Sequence, residues 1–202
     1  MKKNEYFDFV KAHNNRTNVY TTVYDFERFA ETAKVESSVI LDRIFLDFDA
    51  HGEDGLGLAF ADLKIVLAYI KKYQHTIFFS GRGFHLFVYG EVTTDPRNIQ
   101  AFFREVKNLL SEDSTLDERV GQSTRLRRIK ALLSEDSTLD ERVGQSTRLR
   151  RIPNTVNMSS SDENGIPYYC IPLFEEDIDK GLENILSLAK KPREIPRKVT
   201  GS

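Results

Sequence analysis

Three groups of side chains in this sequence have the types and spacing to handle phosphate. Asp47-Phe48-Asp49 ends the apolar run Ile44-Phe45-Leu46. Residues i and i+2 of a strand point to one face, so both carboxylates can grip one hard cation. Acids at the end of a buried strand are costly unless paired or metal-bound; taken alone, the pair also fits a strand running out into a polar loop. Ser80-Gly-Arg-Gly-Phe-His85 is the second group. Its Gly81 and Gly83 let the backbone approach a ligand and turn amides toward an anion. Ser80 adds a hydroxyl, Arg82 a charged fork and His85 a ring donor, although an ordinary hairpin turn with a half-buried histidine reads the same way. In the third group Asp140 precedes Arg148 and Arg151 by eight and eleven residues. The acid can add a metal ligand and the arginines can neutralise phosphate, or the whole is a solvated mixed-charge surface.

The third group sits in a repeat. Residues 109–129 read LLSEDSTLDERVGQSTRLRRI, and residues 132–152 read the same, with only Lys130-Ala131 between them. Asp117, Arg125 and Arg128 therefore form a twin set. Repeat arrays stack several diverged copies; two perfect copies are instead a recent duplication, an engineered insertion or a sequence error. Removing 23 residues would leave a seamless chain, so the duplication covers about 107–152 and one block is surplus. Pro153-Asn-Thr-Val-Asn follows the second copy directly. Asp140, Arg148 and Arg151 are accordingly expected at the site, with the first copy as an extra helical or looped insertion.

The elements that must position these groups follow from pattern. Asn18–Phe26, rich in β-branched and aromatic residues, reads as a strand, as does Ile40–Phe48. Leu58, Leu63, Val66, Leu67 and Ile70 recur at helical spacing, predicting a helix over Leu58–Tyr73 with one buried face. Thr76–Phe79 and Phe84–Val88 flank the glycine-bearing turn as a hairpin. Asp95-Pro96 opens a helix whose core face is Ile99, Phe102, Phe103, Val106 and Leu110. Thr155–Ser159 and Ile166–Leu173 read as strands. Glu175–Lys191 reads as a closing helix with Ile178, Leu182, Ile185 and Leu186 inward. Strands and helices mix without strict alternation, which gives an α+β fold: a mostly antiparallel sheet flanked by helices.

The chain has 202 residues, 40% hydrophobic and 30% charged, enough for one core. Residues 1–191 read as a single domain and 192–202 as a basic, proline-broken tail. The net charge of −2 leaves room for a local basic stripe at Arg148, Arg150 and Arg151. Cys170 is the lone cysteine, which excludes an internal disulfide and a Cys-rich zinc or iron–sulfur site. No apolar run approaches a membrane span and no secretory signal is evident, so no membrane partner and a cytoplasmic location are expected.

Taken in order, the three groups resemble the motifs of the archaeo-eukaryotic primase superfamily, which holds primase catalytic subunits, primase-polymerases and the polymerase domains of bacterial end-joining ligases. IFLDFD matches its hhhDhD motif, SGRGFH its SGxGxH-type hairpin motif, and LDERVGQSTRLRRIPNT its acid ahead of spaced arginines. The resemblance covers roughly residues 40–160. It implies a primase-polymerase catalytic core performing template-directed nucleotidyl transfer with two Mg2+ or Mn2+ ions. Asp47, Asp49 and Asp140 would be the metal ligands and catalytic acids. Ser80, Gly81, Arg82, Gly83 and His85 would hold the triphosphate of an NTP or dNTP. Arg148 and Arg151 would contact phosphate of the nucleotide or of a single-stranded DNA template. Many members carry a Cys/His zinc cluster, which one cysteine cannot supply, and a helicase or accessory primase subunit would be needed as partner if initiation requires one. Two other functions share these residues: a non-catalytic binder of single-stranded nucleic acid, and a metal-dependent phosphohydrolase or nuclease.

Overall fold

Alternation along Arg43–Asp49 sets the architecture. Ile44, Leu46 and Phe48 point to one side of this strand, and Arg43, Phe45, Asp47 and Asp49 to the other. The computed structural model describes residues 3–26, 39–40, 42–49, 54–90, 105–106, 108–110 and 149–194. In chain order these form α1 (Lys3–His13), β1 (Tyr20–Thr22), β2 (Asp25–Phe26), β3 (Val39–Ile40), β4 (Arg43–Asp49) and α2 (Gly55–Ile70). Then come β5 (His75–Phe79), β6 (Gly83–Tyr89), β7 (Leu149–Arg151), β8 (Val156–Ser161), β9 (Pro167–Tyr169) and β10 (Ile171–Leu173). Two short helices, α3 (Glu175–Asp179) and α4 (Leu182–Leu188), follow.

The fold is α+β. Its central sheet has the order β10-β5-β6-β4, antiparallel throughout, and two-stranded ladders join β1 to β7, β2 to β3 and β8 to β9. Register puts Leu46, Leu86, Ile77 and Leu173 in one row and Phe48, Phe84, Phe79 and Ile171 in the next. Against this face lies α2, with Ala59, Leu63, Val66 and Ile70 wholly buried and Phe60 packed on Phe84. Burying side chains of this size contributes about 1.5–3 kcal/mol each, so this helix–sheet layer is the main source of rigidity beneath the other face. That other face carries Asp47, Asp49, Phe45, His85, Phe87 and Phe78. Among the described residues, no helix is long and apolar enough to cross a membrane.

Several expectations shift. The predicted strand Asn18–Phe26 divides into β1 and β2 because its halves serve different partners, β7 and β3. Val23 and Tyr24, at the bend between them, are buried. Leu58 is exposed rather than inward; Ala59 takes the buried place, since the face toward the sheet runs through 59, 63, 66 and 70. The single helix predicted over Glu175–Lys191 is broken at Gly181, whose φ of 90° leaves the right-handed helical region. Its apolar face survives the break, with Ile178 and Ile185 buried and Leu182 and Leu186 packed against the core. Of the helix opened by Asp95-Pro96, Val106 is helical and buried and Leu110 packs on the core; Ile99, Phe102 and Phe103 lie outside the described residues.

Candidate functional site

Asp47 and Asp49 stand at the rim of the sheet because β4 runs three residues past its apolar stretch Ile44-Phe45-Leu46. Asp47 pairs in register with His85, and Asp49 with Gly83. The β5–β6 hairpin therefore lays its turn directly beside the two acids. Ser80 N–H donates to the Gly83 carbonyl at 2.9 Å to close the turn. The turn needs both its glycines. Gly81 has φ of 100°, and a Cβ there would lie 2.5 Å from the Asn157 Cβ. A Cβ on Gly83 would fall onto the Phe48 carbonyl oxygen. From the far side β8 holds the turn: Asn157 Nδ2 donates to the Ser80 carbonyl at 3.1 Å, and Ser160 Oγ to the Gly81 carbonyl at 2.7 Å.

Around the acids lies a pocket of about 160 Å³ lined by Tyr20, Asp47, Asp49, Ser80, Arg82, His85, Leu149, Arg151, Asn157 and Ser159. His85 Nε2 lies 3.6 Å from Asp47 Oδ1. Arg82 grips Asp49 with both arms of its fork, Nε to Oδ1 at 2.9 Å and Nη2 to Oδ2 at 2.6 Å. Arg151 enters from β7. Its Nη1 donates to Asn18 Oδ1 at 2.8 Å and to the Val156 carbonyl at 3.2 Å, its Nη2 donates to Tyr20 Oη at 3.2 Å, and its guanidinium lies over the Tyr20 ring. Burial pulls the Arg151 guanidinium below its ordinary pKa, and its partners are neutral acceptors. It is a held cation facing a pocket, an arrangement that favours an anion.

Arg150, on the opposite side of β7, lies over the Phe78 and Phe87 rings at 5.5 and 5.1 Å. Among the described residues its Nε and Nη1 are buried without a hydrogen-bond partner, and burial lowers its pKa too. This stacking fastens the β1–β7 ribbon across the sheet and so carries Arg151 to the acids.

Thus the pocket brings together Asp47, Asp49, Ser80, Arg82, His85 and Arg151, with Gly81 and Gly83 shaping its turn. Asp140 and Arg148 lie outside the described residues, as do Asp117, Arg125 and Arg128. Among the described residues no cluster of three or more His, Cys, Asp or Glu could hold a metal. Tyr20, Asn157 and Ser159 escaped sequence analysis. For the last two a signal existed: they sit at i and i+2 of a strand, the same alternation that places Asp47 and Asp49.

No family model and no curated protein matches the chain. Among solved structures it is similar to the polymerase domain from Mycobacterium tuberculosis Ligase D in complex with DNA, with a TM-score of 0.43 and 14% identity. The match covers 85% of this chain and 58% of that one. At that distance the functional interpretation depends on the pocket's own geometry.

Proposed function

We propose that the chain is a catalytic core of the primase-polymerase kind, a template-directed nucleotidyltransferase that makes or extends primers on single-stranded DNA. The observation that carries this reading is the pocket itself: two carboxylates on one strand face, a glycine-bearing turn with Ser80 and Arg82 beside them, and a buried cation opposite. The acids fit a divalent ion by chemistry, since paired carboxylates suit Mg2+ or Mn2+, whereas zinc would normally draw His or Cys. Asp47 and Asp49 would hold the metal, with Asp140 as the proposed third ligand. Bound ions of this kind lower the pKa of an attacking hydroxyl and neutralise charge on the triphosphate and leaving pyrophosphate.

The remaining work belongs to the side chains. Arg151, fixed by Asn18 and Tyr20, offers a pre-oriented positive charge to phosphate of an NTP or dNTP or of the template. Ser80 and His85 present donors on the same wall, and Arg82 brings a second fork. Pre-orientation matters because donors that need not reorganise stabilise developing charge most effectively. The test is incorporation of labelled nucleotides on a single-stranded template with Mn2+ or Mg2+. Wild type is expected to incorporate and the Asp47→Ala/Asp49→Ala double variant to be inert; equal behaviour of the two sinks the proposal.

One observation favours a second reading. Arg82 neutralises Asp49 in this structure, as suits a non-catalytic binder of single strands. Such a protein would bind DNA in a salt-dependent manner with no dependence on divalent ions.

A further inference from the structure

The Arg82–Asp49 pair joins two groups that the proposed chemistry uses separately. Both oxygens of the Asp49 carboxylate accept from a single guanidinium. Lone pairs committed to N–H donors are less available to a cation, and a cation arriving there also meets the like charge of Arg82. The partners differ in freedom. Asp49 sits on a paired strand with its side chain 26% exposed, whereas Arg82 is on the turn with its side chain 53% exposed. Arg82 is therefore the partner able to swing away, and phosphate is the other oxygen ligand its planar fork matches.

We propose that the Arg82–Asp49 pair is a latch, which keeps Asp49 from a divalent cation until a phosphate-bearing ligand draws Arg82 off. The inference rests on the proposed function, because it takes Asp49 as a metal ligand. It makes anion and metal binding cooperative at this pocket, and linkage makes the effect mutual: the anion raises metal affinity by the factor through which the metal raises anion affinity. Partly exposed ion pairs are weak, so the latch opens readily and its effect is about fivefold, equivalent to ~1 kcal/mol.

Titration of Mn2+ into the full chain, with free ion followed by electron paramagnetic resonance, tests this. Wild type, Arg82→Ala, Arg82→Gln and Asp49→Asn are compared without and with saturating sulfate as the anion. Both Arg82 variants are expected to bind Mn2+ about fivefold tighter than wild type. Sulfate is expected to tighten wild type by a similar factor and to leave the Arg82 variants unchanged. Equal or weaker Mn2+ binding by the Arg82 variants, or a wild type indifferent to sulfate, overturns the latch and leaves the metal site standing. Asp49→Asn is expected to weaken Mn2+ binding; if it matches wild type, Asp49 is no metal ligand, and that part of the proposed function falls together with the latch.

Discussion

Asp47 and His85 face each other across the β4–β6 ladder, with His85 Nε2 3.6 Å from Asp47 Oδ1. The imidazole is held in place, since its ring meets Phe45 edge-on at 5.2 Å and the residue is buried. A donor fixed in this way beside the acids is worth most where negative charge develops. On the proposed function, His85→Ala lowers nucleotide incorporation about 10²-fold. It also costs ~1 kcal/mol of stability through the lost ring contact. Steady-state incorporation kinetics and a urea unfolding curve separate the two effects.

The glycines give a graded series. Gly83→Ala meets the Phe48 backbone and Gly81→Ala meets Asn157 at a positive φ, so each is expected to destabilise by about 1–3 kcal/mol. Gly57 lies within α2, exposed, with nothing within 4 Å of an added Cβ. Gly57→Ala should stabilise by about 0.5–1 kcal/mol, because alanine loses less backbone entropy in a helix. Denaturant midpoints check all three, and a loss at Gly57 would contradict the geometry.

Arg150 offers a test of buried charge. Its guanidinium has stacking partners but, among the described residues, no hydrogen bonds at Nε and Nη1. Cation–π attraction contributes about 0.5–2 kcal/mol, while a buried ion unpaired by an anion costs several kcal/mol. Arg150→Met, of similar length and apolar, is therefore expected to raise stability by about 1 kcal/mol and the thermal midpoint with it. A lowered midpoint would mean that the stacking outweighs desolvation.

Acid should loosen the β8–β9 hairpin. A hydrogen bond from Lys190, with backbone donors at Ile166 and Asn164, holds the Asp162 carboxyl below its ordinary value. At Asp177 burial pushes the carboxyl up, but Arg193 and the Phe174 N–H bring it below its usual value. A depressed folded-state pKa gives stability that is complete above the ordinary carboxylate range and is lost as pH falls through the folded-state value. Urea midpoints measured from about pH 6 down to about pH 3 should fall in wild type and fall less steeply in Asp162→Asn. Identical slopes would remove Asp162 from the account.

Alternation made β4, the β5–β6 hairpin and the buried face of α2 legible, and with them Asp47, Asp49 and the Ser80–His85 turn. Each carries its periodicity and its chemistry within one short segment. α1 was not legible, because Phe7 and Phe9 are exposed and form no clean apolar stripe. β7 was hidden for a different reason. Its Leu149-Arg-Arg sequence has no strand pattern of its own, and it becomes a strand by pairing with β1 and by resting Arg150 on Phe78 and Phe87. Tyr20 reaches the pocket only through that pairing, so nothing local announces it.

β7 is also drawn from a block whose every residue occurs twice, and the tripeptide Leu126-Arg-Arg is chemically identical to it. What distinguishes the copy in use is the text that follows. Past the shared Ile152, Asn154 N–H donates to the Cys170 carbonyl, and Thr155 Oγ1 donates back to the Ile152 carbonyl. After the other copy, Lys130-Ala131-Leu132 stand in place of Pro153-Asn154-Thr155, so the sequence there has neither the asparagine, which here takes a φ of 62°, nor the threonine hydroxyl. The strand is thus addressed by its suffix rather than by its own letters. In genetic terms the same Arg→Ala change is a pocket mutation at Arg151, whereas its twin Arg128 lies outside the described residues.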